Sequence, residues 1–529
     1  MGNAVELFLH QVRTRPEAIA LIDRHRRTDR RTTYAALEEQ SARVATLLAE
    51  RGIAQGSPVL LFHPPSAELY AVIIAIFRLG AIAMVVDMTA GRQTLADACH
   101  ALPPAAVFTN GPVRMLALLS APLRRIPLSV TSGGVALGAV RLSAASRLPR
   151  HEGVAAVAAD APALVTFTSG STGAAKGAVR SHGVLQAQHR ALGSVAAAAG
   201  EVDLVSLPIV VLTNLGNGAT SVIPDAGLRR PGAIAPGPVL DQMARARAGR
   251  MTVSPVLAER LVDGAGPPGS RRRGALGGVR TVTGGGPVFP DFIARAGELT
   301  GADVVAVYGS TEAEPIAHVS RTEIGDREKA AMRGGGGLIA GRPVPETTVR
   351  IVPIGYDDRQ RAAALAADGA PLPAGARGEI IVSGAHVVPG YLHGRGDAET
   401  KVRVDGTVWH RTGDAGYHDA GGRLWLLGRA GASVADSRGE LHPFAVECAA
   451  RLVMPRRRTA LVSHGGERIL LVEGALAPAE RAAVSTALGW ARLDRIIDRV
   501  AIPLDKRHNS KVDYRALGRL VPRLAGAGR

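Results

Sequence analysis

A chain of 529 residues exceeds the size at which one hydrophobic core keeps growing, so at least two domains are expected. Hydrophobic residues make up 46% and charged residues 21%, the balance of a folded globular protein, which excludes a chain dominated by disorder. Much of the formal charge of +17 sits in arginine clusters at 24–31, 271–273 and 456–458. No aromatics interleave with them and only 3% of residues are aromatic, so these clusters read as solvated surface and not as a nucleic-acid platform.

Cys99 and Cys448 stand far apart, which excludes a disulfide framework and a cysteine-rich zinc site and fits a reducing cytoplasm. The first six residues lack a basic segment followed by an apolar core, so no signal peptide is expected. Glu6 also stands where a myristoylation site needs Ser or Thr. The apolar run 69–86 is broken by Arg78 and Gly80 and reads as a buried helix and strand, not a membrane span.

In chain order, residues 34–51 place apolar side chains at helical spacing and stop at Gly52. A strand is predicted at 57–62, a helix at 66–79 and a strand at 81–86, an alternation that implies a parallel sheet with helices on its faces. Further apolar strands are predicted at 105–108, 163–166, 279–282 and 304–307. The glycine run 334–337 reads as a mobile loop. Past Pro345 the texture changes to short strands and turns, as at 378–383 and 423–427, which predicts a β-rich subdomain. After Arg429 the remaining stretch predicts a small α+β domain, giving domains over 1–428 and 429–529.

The most informative segment is Thr-Phe-Thr-Ser-Gly-Ser-Thr-Gly-Ala-Ala-Lys-Gly at 166–177, which follows an apolar strand. Glycines let backbone N–H groups close around phosphate oxygens, hydroxyls add donors and lysine adds a point charge. It is not a P-loop, because Ala175 precedes Lys176 and Gly177 follows it, where that motif needs Gly before the lysine and Ser or Thr after.

This segment resembles the phosphate-binding signature of the acyl-CoA synthetase, adenylation-domain and luciferase superfamily of adenylate-forming enzymes. Three more segments match in the expected order: Val-Tyr-Gly-Ser-Thr-Glu at 307–312, Trp-His-Arg-Thr-Gly-Asp at 409–414 with 422–429 after it, and 503–511 ending in Lys511. The resemblance implies an α/β fold: a large N-terminal domain of stacked α/β subdomains plus a β-rich subdomain, then a small mobile α+β cap domain. It implies ATP and Mg2+ as cofactors and a small carboxylic acid as substrate, with enzymes of the same pathway as partners.

The chemistry requires charge neutralisation, since a carboxylate must attack a polyanionic phosphate chain in line. By resemblance, Thr168, Ser169, Gly170, Ser171, Thr172, Gly173 and Lys176 grip the β- and γ-phosphates. Glu312 holds Mg2+, Thr311 meets the α-phosphate, and Tyr308, Gly309 and Ser310 belong to the same motif. Gly285 and Gly286 flank adenine, while Tyr308 either stacks on the base or belongs to the core. Asp414 accepts from the ribose hydroxyls, with Arg429 beyond it, and Lys511 brings a cation to the α-phosphate. Standing alone, Glu312 would read as a helix N-terminal acid and Asp414 as a turn aspartate.

Within the superfamily, segments 408–411, 458–462, 220–225 and 507–511 look like the olefin-pathway β-lactone synthetases. Such enzymes adenylate a β-hydroxy acid whose own hydroxyl then displaces AMP, without coenzyme A. Gly431 and Ala435 stand where the thioester-forming relatives have their hinge residues, and no histidine follows Leu207-Pro208. The alternatives are an acyl-CoA ligase, an acyl-AMP ligase that loads a carrier protein, and transfer to an amine. Pocket walls are expected from 207–217 and 254–255.

Overall fold

The computed structural model describes residues 2–25, 28–86, 91–118, 120–134, 136–169, 175–227, 231–366, 369–505 and 510–526. Contacts divide the chain into two compact units. The first is Met1–Arg229, Ile234–Thr252 and Ala385–Ala398; the second is Arg230–Ala233, Val253–Gly384 and Glu399–Arg529. The architecture is mixed α/β, as expected.

In the first unit the predicted βαβ alternation holds. Strands Pro58–Phe62 and Ile82–Val86 run parallel and are joined through helix Ala67–Arg78. Ser66 caps that helix, its Oγ accepting from Leu69 N at 3.3 Å, and every residue from Leu69 to Arg78 is buried. A cap of this kind is worth about 1 kcal/mol. The sheet runs Val140–Arg141, Leu128–Thr131, Ala106–Thr109, Pro58–Phe62, Ile82–Val86, Pro162–Ser169, Ala175–Ser181, and only its last pair is antiparallel. A second set of strands includes Val202–Val205, Thr220–Val222 and Ile19–His25. One core containing Leu21, Leu61, Tyr70, Ile76 and Val205 packs the helices between the two sets.

The second unit carries the β-rich part. Strand Arg280–Gly284 lies parallel to Val304–Ser310, and antiparallel neighbours follow: Ala313–Ser320, Leu338–Pro343, Leu424–Arg429, Thr407–His418, Gly378–Ser383 and Thr348–Val352. After Arg429 come a short hairpin, helix Pro443–Val453, a small sheet of Thr459–His464, Glu467–Val472 and Arg495–Ile497, and helix Tyr514–Gly526. This is the predicted α+β texture.

The 334–337 run is a packed turn and not a loose loop. Tyr417 Oη donates to Gly336 O at 2.8 Å, and Trp490 Nε1 donates to Arg333 O at 3.0 Å. Gly335 has φ +87°, and a side chain there would meet the Trp490 ring at 2.6 Å. Among the described residues no helix is long and apolar enough to cross a membrane.

Candidate active site

The second unit encloses a cavity of about 140 Å3. It is built where strand ends meet the segment that follows Arg429. Strands Val304–Ser310 and Ala313–Ser320 form a hairpin with Ser310 opposite Ala313, so Thr311 and Glu312 are its two-residue tip. No helix begins at Glu312. The hairpin closes this tightly because Gly309 has no side chain: a Cβ there would lie 2.9 Å from Ala313 O.

Asp414 is likewise not a turn residue. It lies in strand Thr407–His418 directly opposite Arg429 of the neighbouring strand. Tyr308 Oη donates to its Oδ2 at 2.9 Å, and Arg429 Nη1 stands 3.4 Å from its Oδ1. A carboxylate with four acceptor sites and two such neighbours keeps capacity for further donors such as ribose hydroxyls. Burial first and the Asp414 carboxylate second push the Tyr308 phenol well above its usual value, which keeps it a neutral donor.

Gly285, Gly286, Tyr308, Gly309, Ser310, Asp414, Arg429 and Lys511 all line this one cavity. A Cβ on Gly286 would lie 2.3 Å from Ser510 Oγ and 2.9 Å from its Cβ, so any side chain here would displace Ser510. The stretch that carries Lys511 is thereby set down on the glycine segment. Thr311 and Glu312 sit at the adjoining hairpin tip without lining the cavity.

Glu312 lies close to His410, whose ring is held neutral: burial and then the Lys401 ammonium 3.2 Å away push its pKa down to about 3. Among the described residues no cluster of three or more His, Cys, Asp or Glu is arranged to hold a metal. A single carboxylate still suits Mg2+, which takes most of its ligands from water and phosphate.

The phosphate-binding signature falls in the first unit. Pro162–Ser169 and Ala175–Ser181 form an antiparallel hairpin, with Thr168 opposite Lys176 and Ser169 opposite Ala175. Lys176 is thus a strand residue, its ammonium 5.7 Å from the Tyr391 ring centroid. Gly396, at φ +106°, leaves it room, as a Cβ there would be 2.6 Å from Nζ. Gly170, Ser171, Thr172 and Gly173 lie outside the described residues, as do Arg507, His508 and Asn509.

The walls expected for the acid, 207–217 and 254–255, are not among the residues that line this cavity. Residues 208–217 form helix Pro208–Asn217, where Asn214 Nδ2 donates to Asp203 and Ser221 in the core of the first unit; Ser254 precedes helix Pro255–Asp263 in the second.

The cavity also brings in Phe444, Glu447, Arg451 and Tyr514, which the motifs did not single out, together with Arg458 and Thr459 of the 458–462 segment. Arg451 stacks on the Phe289 ring at 4.5 Å and faces Asp291 at 3.4 Å. Counting Arg429, Arg451, Arg458 and Lys511 against Asp414 and Glu447, the lining is net cationic and suits a polyanion. A sequence signal for Glu447 existed, a lone acid inside the apolar run 443–450. Burial pushes its carboxyl up to about 7 against the opposing hydrogen bonds from Tyr514 and Leu461 N.

Residues 8–392 match the family model described as AMP-binding enzyme. The olefin beta-lactone synthetase of Stenotrophomonas maltophilia is 33% identical over 90% of this chain and 89% of its own. The one from Xanthomonas campestris is 34% identical over 91% and 89%. Among solved structures, the amide bond synthetase McbA from Marinactinospora thermotolerans superposes with a TM-score of 0.76 at 24% identity. It covers 98% of this chain and 99% of that one, and shows the same fold. The chain belongs to the AMP-binding family and is an adenylate-forming ligase.

Proposed function

We propose that this ligase activates a β-hydroxy carboxylic acid with ATP and closes the product to a β-lactone. One acid oxygen attacks the α-phosphorus and pyrophosphate leaves. The substrate's own hydroxyl oxygen then attacks the acyl carbon, AMP leaves with the former P–O bond intact, and the hydroxyl proton is lost. Tethering the nucleophile three atoms from the carbonyl replaces a second substrate by an intramolecular step.

The observation that carries the adenylation reading is the convergence of Gly285, Gly286, Tyr308, Asp414 and Lys511 on one cavity. In this reading Asp414 accepts from the ribose hydroxyls and Tyr308 and the glycines bound the base. Lys511 brings its ammonium to the reacting phosphate, on a cap domain that begins after residue 428. Thr168, Ser169 and Lys176 serve phosphate oxygens, together with Gly170, Ser171, Thr172 and Gly173. Glu312 is the group that would hold Mg2+, which supplies charge neutralisation on the phosphates when bound. What supports lactone closure is the likeness to two olefin beta-lactone synthetases over nine-tenths of the chain.

The test is incubation with ATP, Mg2+ and a chain-length panel of β-hydroxy acids, with and without coenzyme A. β-Lactone, AMP and pyrophosphate formed without thiol are the expected products. A thioester formed only when coenzyme A is present makes the protein an acyl-CoA ligase instead.

A further inference from the structure

Lys511 does not stand on a free tail. The Asp505 carboxylate accepts from Ser510 N at 3.0 Å and from Lys511 N at 2.8 Å, while Asp505 N donates to Lys511 O at 2.8 Å. Leu504 pairs with Val512, and Asp513 N donates to Pro503 O at 2.9 Å. The lysine therefore sits where segments 503–505 and 510–513 are hydrogen-bonded together, and its backbone is held by what packs against these two segments.

On one side Ser510 rests on Gly286. On the other, Tyr514, three residues past the lysine, donates its phenol to Glu447 Oε1 at 2.6 Å, and the same oxygen accepts from Leu461 N at 3.1 Å. Glu447 is 2% exposed, on helix Pro443–Val453. Such burial is costly for a carboxyl, and packing does not call for one here. Helix Tyr514–Gly526 is held without it: Leu517 and Val521 are buried against Ala460, Val462, Ile469 and Leu471, and Asp513 caps its first turn by accepting from Ala516 N at 3.0 Å. The phenol–carboxyl contact fixes the start of the helix, next to the lysine, and not the helix as a whole.

We infer that Glu447 and Tyr514 are positioning residues that hold the 510–513 segment against the cavity, so that the Lys511 ammonium meets the reacting phosphate. This rests on the reading of Lys511 as the adenylating cation. Neither residue needs to touch substrate; both act through the lysine.

The test is ATP–pyrophosphate exchange with the acid from the panel that the protein exchanges fastest, in Tyr514→Phe, Glu447→Gln and Glu447→Ala, each with and without Lys511→Ala. Tyr514→Phe keeps the ring in place and is expected to lower kcat about tenfold with KM for ATP within about twofold, the split of a group that acts on the transition state. Glu447→Gln, whose amide oxygen accepts the same two bonds, is expected to stay within about threefold of wild type, and Glu447→Ala to fall at least as far as Tyr514→Phe. In the Lys511→Ala background Tyr514→Phe is expected to add less than about twofold. Wild-type kcat in Tyr514→Phe, or an undiminished tenfold loss on top of Lys511→Ala, overturns the inference; if Glu447→Ala does not fold, Tyr514→Phe still decides. Full exchange in Lys511→Ala alone removes the lysine from the mechanism, a different outcome from a silent Tyr514. No exchange with any acid overturns both.

Discussion

The hairpin 162–181 of the first unit and the cavity of the second present their chemistry in opposite ways. The hairpin concentrates hydroxyls, glycines and Lys176 in twelve consecutive residues, 166–177, held by one strand pairing. The cavity collects Gly286, Tyr308, Asp414, Glu447, Arg451 and Lys511 across more than two hundred residues of chain, and no two of these are adjacent in sequence. A contiguous binding loop depends on its own backbone. An assembled cavity depends on helices and strands whose positions are set by burial far from the ligand. Substitutions in the two regions should therefore fail differently: the hairpin in binding of the outer phosphates alone, the cavity in catalytic rate, in stability or in affinity for the nucleoside part.

The largest effect is expected from Lys511→Ala. Removing a charge from the reacting phosphate should lower kcat for pyrophosphate exchange by about 10²- to 10³-fold while ATP binding, measured by calorimetry, changes little. A loss confined to KM would put the lysine in the hairpin's class and break the contrast.

Next comes Glu447. Its folded carboxyl is raised to about 7 from an ordinary 4.5. Between those values the folded protein holds a proton that the unfolded chain has released, so the contribution is full below about pH 4.5 and is lost as pH rises through about 7. The difference amounts to on the order of 3 kcal/mol. Urea unfolding at pH 5 and pH 8 should show this slope in wild type and a shallower one in Glu447→Gln.

That carboxyl also marks where the sequence stopped being legible. The four motifs and the parallel βαβ order could be read because each is local, either a fixed run of consecutive residues or an apolar periodicity. The phenol of Tyr308 on Asp414, Ser510 on Gly286 and Tyr514 on Glu447 could not, since each pair is separated by more than sixty residues and is set by packing alone. The same holds for Glu312 and Asp414, whose local signals fit a helix N-terminus and a turn but which the strand pairings place at a hairpin tip and inside a strand.

Asp414→Asn should cost about 2 kcal/mol of nucleotide affinity, because one acceptor oxygen becomes a donor facing both the Tyr308 phenol and the ribose hydroxyls. An unchanged Kd for AMP would separate the carboxylate from ribose. Smallest is Lys176→Ala, expected to raise KM for ATP about tenfold with kcat nearly kept and AMP affinity unaltered, since AMP lacks the outer phosphates. Equal losses for AMP and ATP would show that the hairpin does not select the phosphate tail.

A crystal structure of the protein with AMP bound tests the central claim most directly. The base should be bounded by Gly285, Gly286 and Tyr308, with both ribose hydroxyls within hydrogen-bonding distance of the Asp414 carboxylate. AMP seated outside this cavity, with Asp414 still engaged only by Tyr308 and Arg429, would contradict it.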